Sequence, residues 1–188
     1  LSYVLWPHHY KLIQYFKSAF CNNLYDYAEL HELACGHGLL SWIASSLNPN
    51  IFVNASDISH ASVEYTKRLL SSAHLHNLYD VKIGNALEDE FKAVDFVICG
   101  ELLEHVDNPD KLLKNIKSIL RPNGFAFVTG AINAAQHDHV YRFTSIQELD
   151  NMITDVGFLI NDRCSFIHPN RSKDDQPPMV AAYILKHQ

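Results

Sequence analysis

The sequence predicts an α/β protein, a doubly wound sheet of seven mostly parallel strands, and three observations predict it. Strand-like apolar runs alternate with helical stripes from Ala28 to Gly157, as in a sheet wound by right-handed crossovers. Val94 to Cys99 is nearly all apolar, the composition of a strand covered on both faces. The last two runs, Phe158 to Ile167 and Met179 to Lys186, have no helix between them, which predicts an antiparallel edge strand.

Each element has its own signal. Leu12, Phe16, Ala19 and Phe20 repeat at helical spacing after Pro7, outside the alternation, so this first helix is a lid or a cap. Ala28 to Cys35 is a strand cut off by Gly36-His37-Gly38. Leu39, Leu40, Ile43, Ala44 and Leu47 form a helical stripe that Asn48-Pro49-Asn50 ends. Ile51 to Ala55 is a strand running toward Asp57, and Ser59 caps the helix of Val63, Thr66, Leu69, Leu70 and Ala73. Val81 to Gly84 is a weak third strand. Asn108 and Pro109 start the next helix, and Pro122-Asn123-Gly124 turns into strand Phe125 to Thr129. Thr144 with Gln147 and Ser145 with Glu148 make two overlapping capping boxes for a helix ending at Gly157. The chain divides as one domain, 1–188, with a helical cap over 1–24 and a core over 25–188.

The 188 residues are 47% apolar and 19% charged, the balance of a globular chain. A net charge of −6 and no basic stripe argue against nucleic acid as a partner. No apolar run reaches the ~20 residues of a membrane span, and no charged-then-apolar leader opens the chain at Leu1. Cys21, Cys35, Cys99 and Cys164 form no CxxC pair, so they predict reduced thiols in a cytoplasmic protein.

Ligands of a doubly wound sheet sit at the carboxyl ends of its strands. Two features meet there. Glu32-Leu33-Ala34-Cys35-Gly36-His37-Gly38 joins a strand to a helix through small residues that let a ligand approach the backbone. Asp57 ends the next strand, where a carboxylate can accept two ribose hydroxyls. The bend lacks the G-x-G-x-x-G spacing, with Ser41 and Trp42 near the place of a third glycine, and no Walker lysine follows. A nucleoside without phosphates and with an amino-acid tail fits, which describes S-adenosylmethionine. A nicotinamide-binding domain fits the spacing less well.

The chain resembles the class I S-adenosylmethionine-dependent methyltransferases, small-molecule type, over about residues 28 to 187. Glu32 to Gly38 is similar to the family's E/D-x-G-x-G-x-G motif, with Ala34 for its first glycine. Gly84-Asn85-Ala86-Leu87, Gly100-Glu101-Leu102-Leu103-Glu104-His105-Val106 and Leu120-Arg121-Pro122-Asn123-Gly124-Phe125 resemble later motifs. The resemblance implies a Rossmann-like fold and S-adenosylmethionine as cofactor. Glu32, Ala34, Gly36 and Gly38 would then shape its methionine end, Asp57 and Ile58 would hold ribose and adenine, and Asn85 with Ala86 the adenine edge. Glu101 would sit near the methionine tail or the substrate. The implied activity is methyl transfer to oxygen, nitrogen or carbon of a small-molecule acceptor.

Such chemistry needs a nucleophile held in line with the methyl, and at times a base. His105, His139 and Glu101 are the candidates for catalysis, and Trp6, Tyr10 and His137 those for substrate contact. Glu101, Glu104 and His105 stand at i, i+3 and i+4, which on a helical turn would share one face. With His139 they would make an oxygen-and-nitrogen metal site. Ubiquinone-pathway O-methyltransferases and metal-dependent RNA 3′-terminal 2′-O-methyltransferases have a similar E-x-x-E-H segment. Metal-free relatives also carry E-H-V there, so the expectation is a pocket without metal. A module that binds S-adenosylmethionine without catalysis is a further alternative.

Overall fold

A computed structural model describes residues 7–72, 79–167 and 177–187, with the side chains of 7 and 8 left aside. Seven strands form one sheet: β1 (Glu29–Leu33), β2 (Phe52–Asp57), β3 (Tyr79–Ile83), β4 (Val94–Cys99), β5 (Leu120–Ile132), β6 (Phe158–Ile167) and β7 (Met179–His187). Their order is β3-β2-β1-β4-β5-β7-β6. Every pair from β3 across to β5 is parallel, and β7 runs antiparallel between β5 and β6. The strand order reverses between β1 and β4, and that switch point opens a crevice at the carboxyl edge.

Among the described residues five α-helices flank the sheet: α1 (Pro7–Tyr15), α2 (Leu39–Leu47), α3 (His60–Ser72), α4 (Pro109–Ser118) and α5 (Ile146–Asp155). Side-chain alternation sorts them into two layers. Phe96, Ile98, Phe127, Ala182 and Ile184 face a core built with Leu12, Leu40, Ile43 and Val63 from α1 to α3 and with Phe16 and Phe20, which follow α1. Val97, Cys99, Ala126, Val128 and Tyr183 face Leu112, Leu113, Ile116, Leu149 and Ile153 from α4 and α5. Both faces are therefore dry, as the apolar run of β4 demands.

The first helix is a cap fixed to the sheet. Leu12, Ile13, Phe16 and Phe20 are buried, and Phe16 lies edge-on to Phe127 at 4.8 Å between centroids. A wide π-helical turn, Phe16–Phe20, stacks Phe16 on Phe20. The helix starts follow their caps. Asn108 accepts from the Lys111 N–H, with Pro109 at the first helical position, and Ser145 accepts from the Glu148 N–H. Of the two predicted capping boxes, the one on Ser145 forms. The Thr144 hydroxyl instead donates to Glu148. The strand expected from Phe125 already begins at Leu120. Pro122-Asn123-Gly124 is an irregularity within β5, where the register against β4 shifts and Asn123 takes a left-handed φ of 65° that asparagine tolerates better than most side chains.

Candidate active site

The bend after β1 is held from three sides. Its Gly36 N–H donates to Asp57 Oδ2 (2.9 Å), and Asp57 Oδ1 accepts from the Ser59 N–H (2.8 Å). Asp57 is thus nearly buried beside the bend, and each of its oxygens keeps a lone pair for a hydroxyl. Thr66, from α3, donates its hydroxyl to the Gly36 carbonyl (3.1 Å). Its methyl occupies the space where a side chain on Gly38 would lie, 2.6 Å from an added Cβ. A Cβ on Gly36 would meet nothing within 4 Å, so this residue borders open space. Glu32 is buried below the bend and accepts from the Ser41 N–H in the first turn of α2 (3.1 Å). Burial pushes its carboxyl up to about 7; the Ser41 hydrogen bond opposes that rise and the nearby Asp57 charge adds to it.

The ends of β4 and β5 form the other wall. Leu33 and Cys99 are partners in the parallel ladder, so the chain leaves β1 and β4 side by side. Ala34, Glu101 and Asn133, just past β1, β4 and β5, all have a left-handed φ, of 49°, 52° and 50°. Such conformations cost ~1–2 kcal/mol per non-glycine residue and gather at functional sites. The Glu101 N–H donates to Thr129 Oγ1 (2.7 Å), and that hydroxyl donates to Glu101 Oε1 (2.9 Å).

The loop after β5 folds back on this wall. The Asn133 N–H donates to the Phe143 carbonyl, and Val140 and Tyr141 both donate to the Glu104 carbonyl. His139 then lies at right angles to His105, with ring centroids 5.0 Å apart. Each ring turns Nδ1 toward a carbonyl: His105 to Asp138 (2.8 Å) and His139 to Ala134 (2.9 Å). A carbonyl only accepts, so Nδ1 carries the proton and the neutral ring's lone pair is on Nε2. Ligand atoms of Glu104, His105 and His139 all lie within 4.8 Å of one another. Glu104 is buried, and its Oε2 has no partner among the described residues. Burial raises the carboxyls of both Glu101 and Glu104, and the charge of Glu104 raises Glu101 further.

A family model described as a methyltransferase domain matches residues 31–126, half of the chain, which spans the bend, Asp57 and the Glu104-His105 turn. The chain belongs to the methyltransferase-domain family. This methyltransferase domain is of class I, with S-adenosylmethionine as its cofactor. It is 26% identical over 139 residues to a ubiquinone biosynthesis O-methyltransferase of Coxiella burnetii, covering 74% of this chain and 57% of that protein. The match spans little more than half the length of that relative and of the Schizosaccharomyces pombe mitochondrial enzyme of the same name. Among solved structures it is similar to the O-methyltransferase of a polyketide synthase multienzyme of Brevibacillus brevis, bound to S-adenosyl-L-homocysteine. The TM-score is 0.73 at 16% identity, over 89% of this chain and 69% of that one. The [4+2]-cyclase SpnF is equally similar in fold, with a TM-score of 0.73 at 14% identity over 87% of this chain and 76% of its own. These two likenesses carry the fold alone.

The methyltransferase brings most of the residues singled out in its sequence to one edge. Ala34, Gly36, Gly38 and Asp57 meet at the bend. Ile58 follows Asp57 and is 74% exposed, an apolar side chain open to a planar base. Asn85 uses its Oδ1 to accept from the Leu87 N–H (2.9 Å), and the Ala86 carbonyl accepts from Asn115. Tyr10 and His137 are exposed, and Trp6 lies outside the described residues.

One expectation is corrected. Glu101, Glu104 and His105 do not share a helical face. Only Leu103–His105 form a short 3-10 turn, because Thr129 captures both ends of Glu101 and holds it left-handed ahead of that turn. The histidine-carboxylate cluster is therefore Glu104, His105 and His139, without Glu101. Thr66, Ser41 and Thr129 join the site without a motif in the sequence to mark them. Thr66 is a polar residue on an apolar helical stripe, a signal that could have marked it.

Proposed function

We propose that this domain transfers the methyl of S-adenosylmethionine to a small-molecule acceptor. The observation that carries the reading is Asp57, joined by hydrogen bond to the glycine bend, with one lone pair on each oxygen left to accept a ribose hydroxyl. Bound S-adenosylmethionine supplies a methyl already activated on a sulfonium. Gly36 leaves room for its tail, Asp57 takes its hydroxyls, Ile58 covers adenine, and Asn85 and Ala86 border the base edge. Glu32 stiffens the bend from below, through α2. Glu101 faces the methionine tail or the acceptor. His105 and His139 each offer Nε2 to take a proton from the acceptor. Tyr10 and His137 are the described residues proposed to meet that acceptor.

The acceptor class is supported by the O-methyltransferase relatives and by the acidic chain, whose net charge of −6 suits no phosphate backbone. No helix among the described residues is long and apolar enough to cross a membrane, and the four cysteines are unpaired. We place the domain in the reducing cytoplasm on that ground.

Calorimetry with S-adenosylhomocysteine tests the reading. Asp57→Ala should weaken binding by at least about tenfold, the worth of one charge-assisted hydrogen bond, with the circular dichroism unchanged. Affinity equal to the wild type in that variant overturns it.

A second reading is favoured by Glu104, whose Oε2 has no partner among the described residues, grouped with His105 and His139, whose Nδ1 atoms are taken by carbonyls. Two imidazoles and a carboxylate suit zinc, manganese or cobalt, and the two Nδ1–carbonyl hydrogen bonds are the outer contacts that orient metal-binding histidines. Stoichiometric Zn²⁺ or Mn²⁺ binding, abolished in Glu104→Gln, would establish it. No binding leaves the histidines as bases.

A further inference from the structure

We propose that Thr129 is a positioning residue for the methyl-transfer site: its single hydroxyl sets both the backbone and the carboxylate of Glu101. The inference rests on the reading of Glu101 as a residue facing the cofactor's tail or the acceptor, and it goes beyond that reading by naming what aims it.

Thr129 Oγ1 accepts the Glu101 N–H at 2.7 Å. Its one proton then goes to Glu101 Oε1, at 2.9 Å. Among the described residues, Thr129 is the hydrogen-bond partner of the Glu101 side chain. The N–H contact also secures a conformation that Glu101 would otherwise leave, since φ is 52°. With Oε1 held, Oε2 is the oxygen left for a ligand. Thr129 is fully buried on β5, one residue past Val128, the ladder partner of Cys99. It therefore sits on a rigid strand and meets Glu101 from the neighbouring strand's end. Valine has the same shape and can make neither bond, whereas serine can make both.

A double-mutant cycle on S-adenosylhomocysteine affinity tests this, with urea unfolding in parallel. Thr129→Val and Glu101→Ala should each weaken binding by about tenfold, and the double variant no more than Glu101→Ala alone. Thr129→Ser should bind within about threefold of wild type. A buried threonine of merely structural importance would lower stability but would not show this coupling in affinity. Additive losses, or failure of serine to rescue, overturn the proposal. So does wild-type affinity in Thr129→Val when Glu101→Ala is weakened. Wild-type affinity in Glu101→Ala removes Glu101 from the site, and the role of Thr129 with it. The Asp57→Ala variant reports separately on the transferase reading.

Discussion

Gly36 and Gly38 stand two residues apart and answer an added methyl differently. At Gly38 the methyl would strike Thr66, in a left-handed backbone at φ 68°, so Gly38→Ala should cost about 2–3 kcal/mol in urea unfolding. At Gly36 there is no neighbour, and only the φ of 51° is unfavourable. Gly36→Ala should cost about 1 kcal/mol, yet weaken S-adenosylhomocysteine strongly by filling the approach to the bend. Equal effects on stability and affinity in the two variants would refute this division of labour. Ala34→Gly is the converse case. It should add about 1 kcal/mol, read as a raised urea midpoint, because alanine pays for φ 49° where glycine does not. These residues were legible in the sequence, since small residues between a strand and a helix have few other uses. Thr129 was not. A threonine near the end of an apolar strand looks like any β-branched residue until a partner from another strand reaches it.

At the scale of elements, the N-terminal segment is held by aromatic packing. Phe16 is fully buried between Phe20 and Phe127, so Phe16→Ala should cost about 3–5 kcal/mol. Tyr10, on the same segment, is 57% exposed, and Tyr10→Ala should stay within about 0.5 kcal/mol of wild type. A small loss for Phe16→Ala would show the segment to be loosely docked. Period and caps made the helices readable: Asn108, Pro109, Ser145 and Gly157 mark their ends as expected. The meeting of His105 with His139 was less so. It depends on a loop whose bonds run to the main-chain carbonyl of Glu104, and main-chain acceptors leave no trace in a sequence.

At the scale of the molecule, two buried groups set opposing pH slopes. His31 is buried against Ser56 and Phe91, and burial lowers its pKa to about 4 from an ordinary 6.5. The unfolded chain binds its proton first, so this contribution to stability is full above 6.5 and falls away toward 4. Glu32 does the reverse. Its carboxyl keeps a proton up to about 7 in the fold against 4.5 ordinarily, so its contribution is full below 4.5 and declines as the pH rises to 7. Glu101 and Glu104, raised by the same burial, slope the way Glu32 does, so wild-type stability should fall as the pH rises across this range. Glu32→Gln should remove one of these falling slopes, so its stability relative to wild type should gain up to about 3 kcal/mol from pH 4.5 to 6.5. Urea midpoints measured across that interval check it, and identical slopes in the two proteins would refute it.

The place of β7 has a consequence for synthesis. The sheet was readable from alternation, but the insertion of its final strand between two earlier ones was not, because pairing order is decided by the packed whole. While the ribosome is still making residues 133 to 178, β5 has no neighbour on its far side and β6 has none to pair with. That half of the protein is zipped shut only when Met179–His187 emerges. A nascent chain thus waits with an open seam, a target for chaperones and for mispairing with another copy of itself.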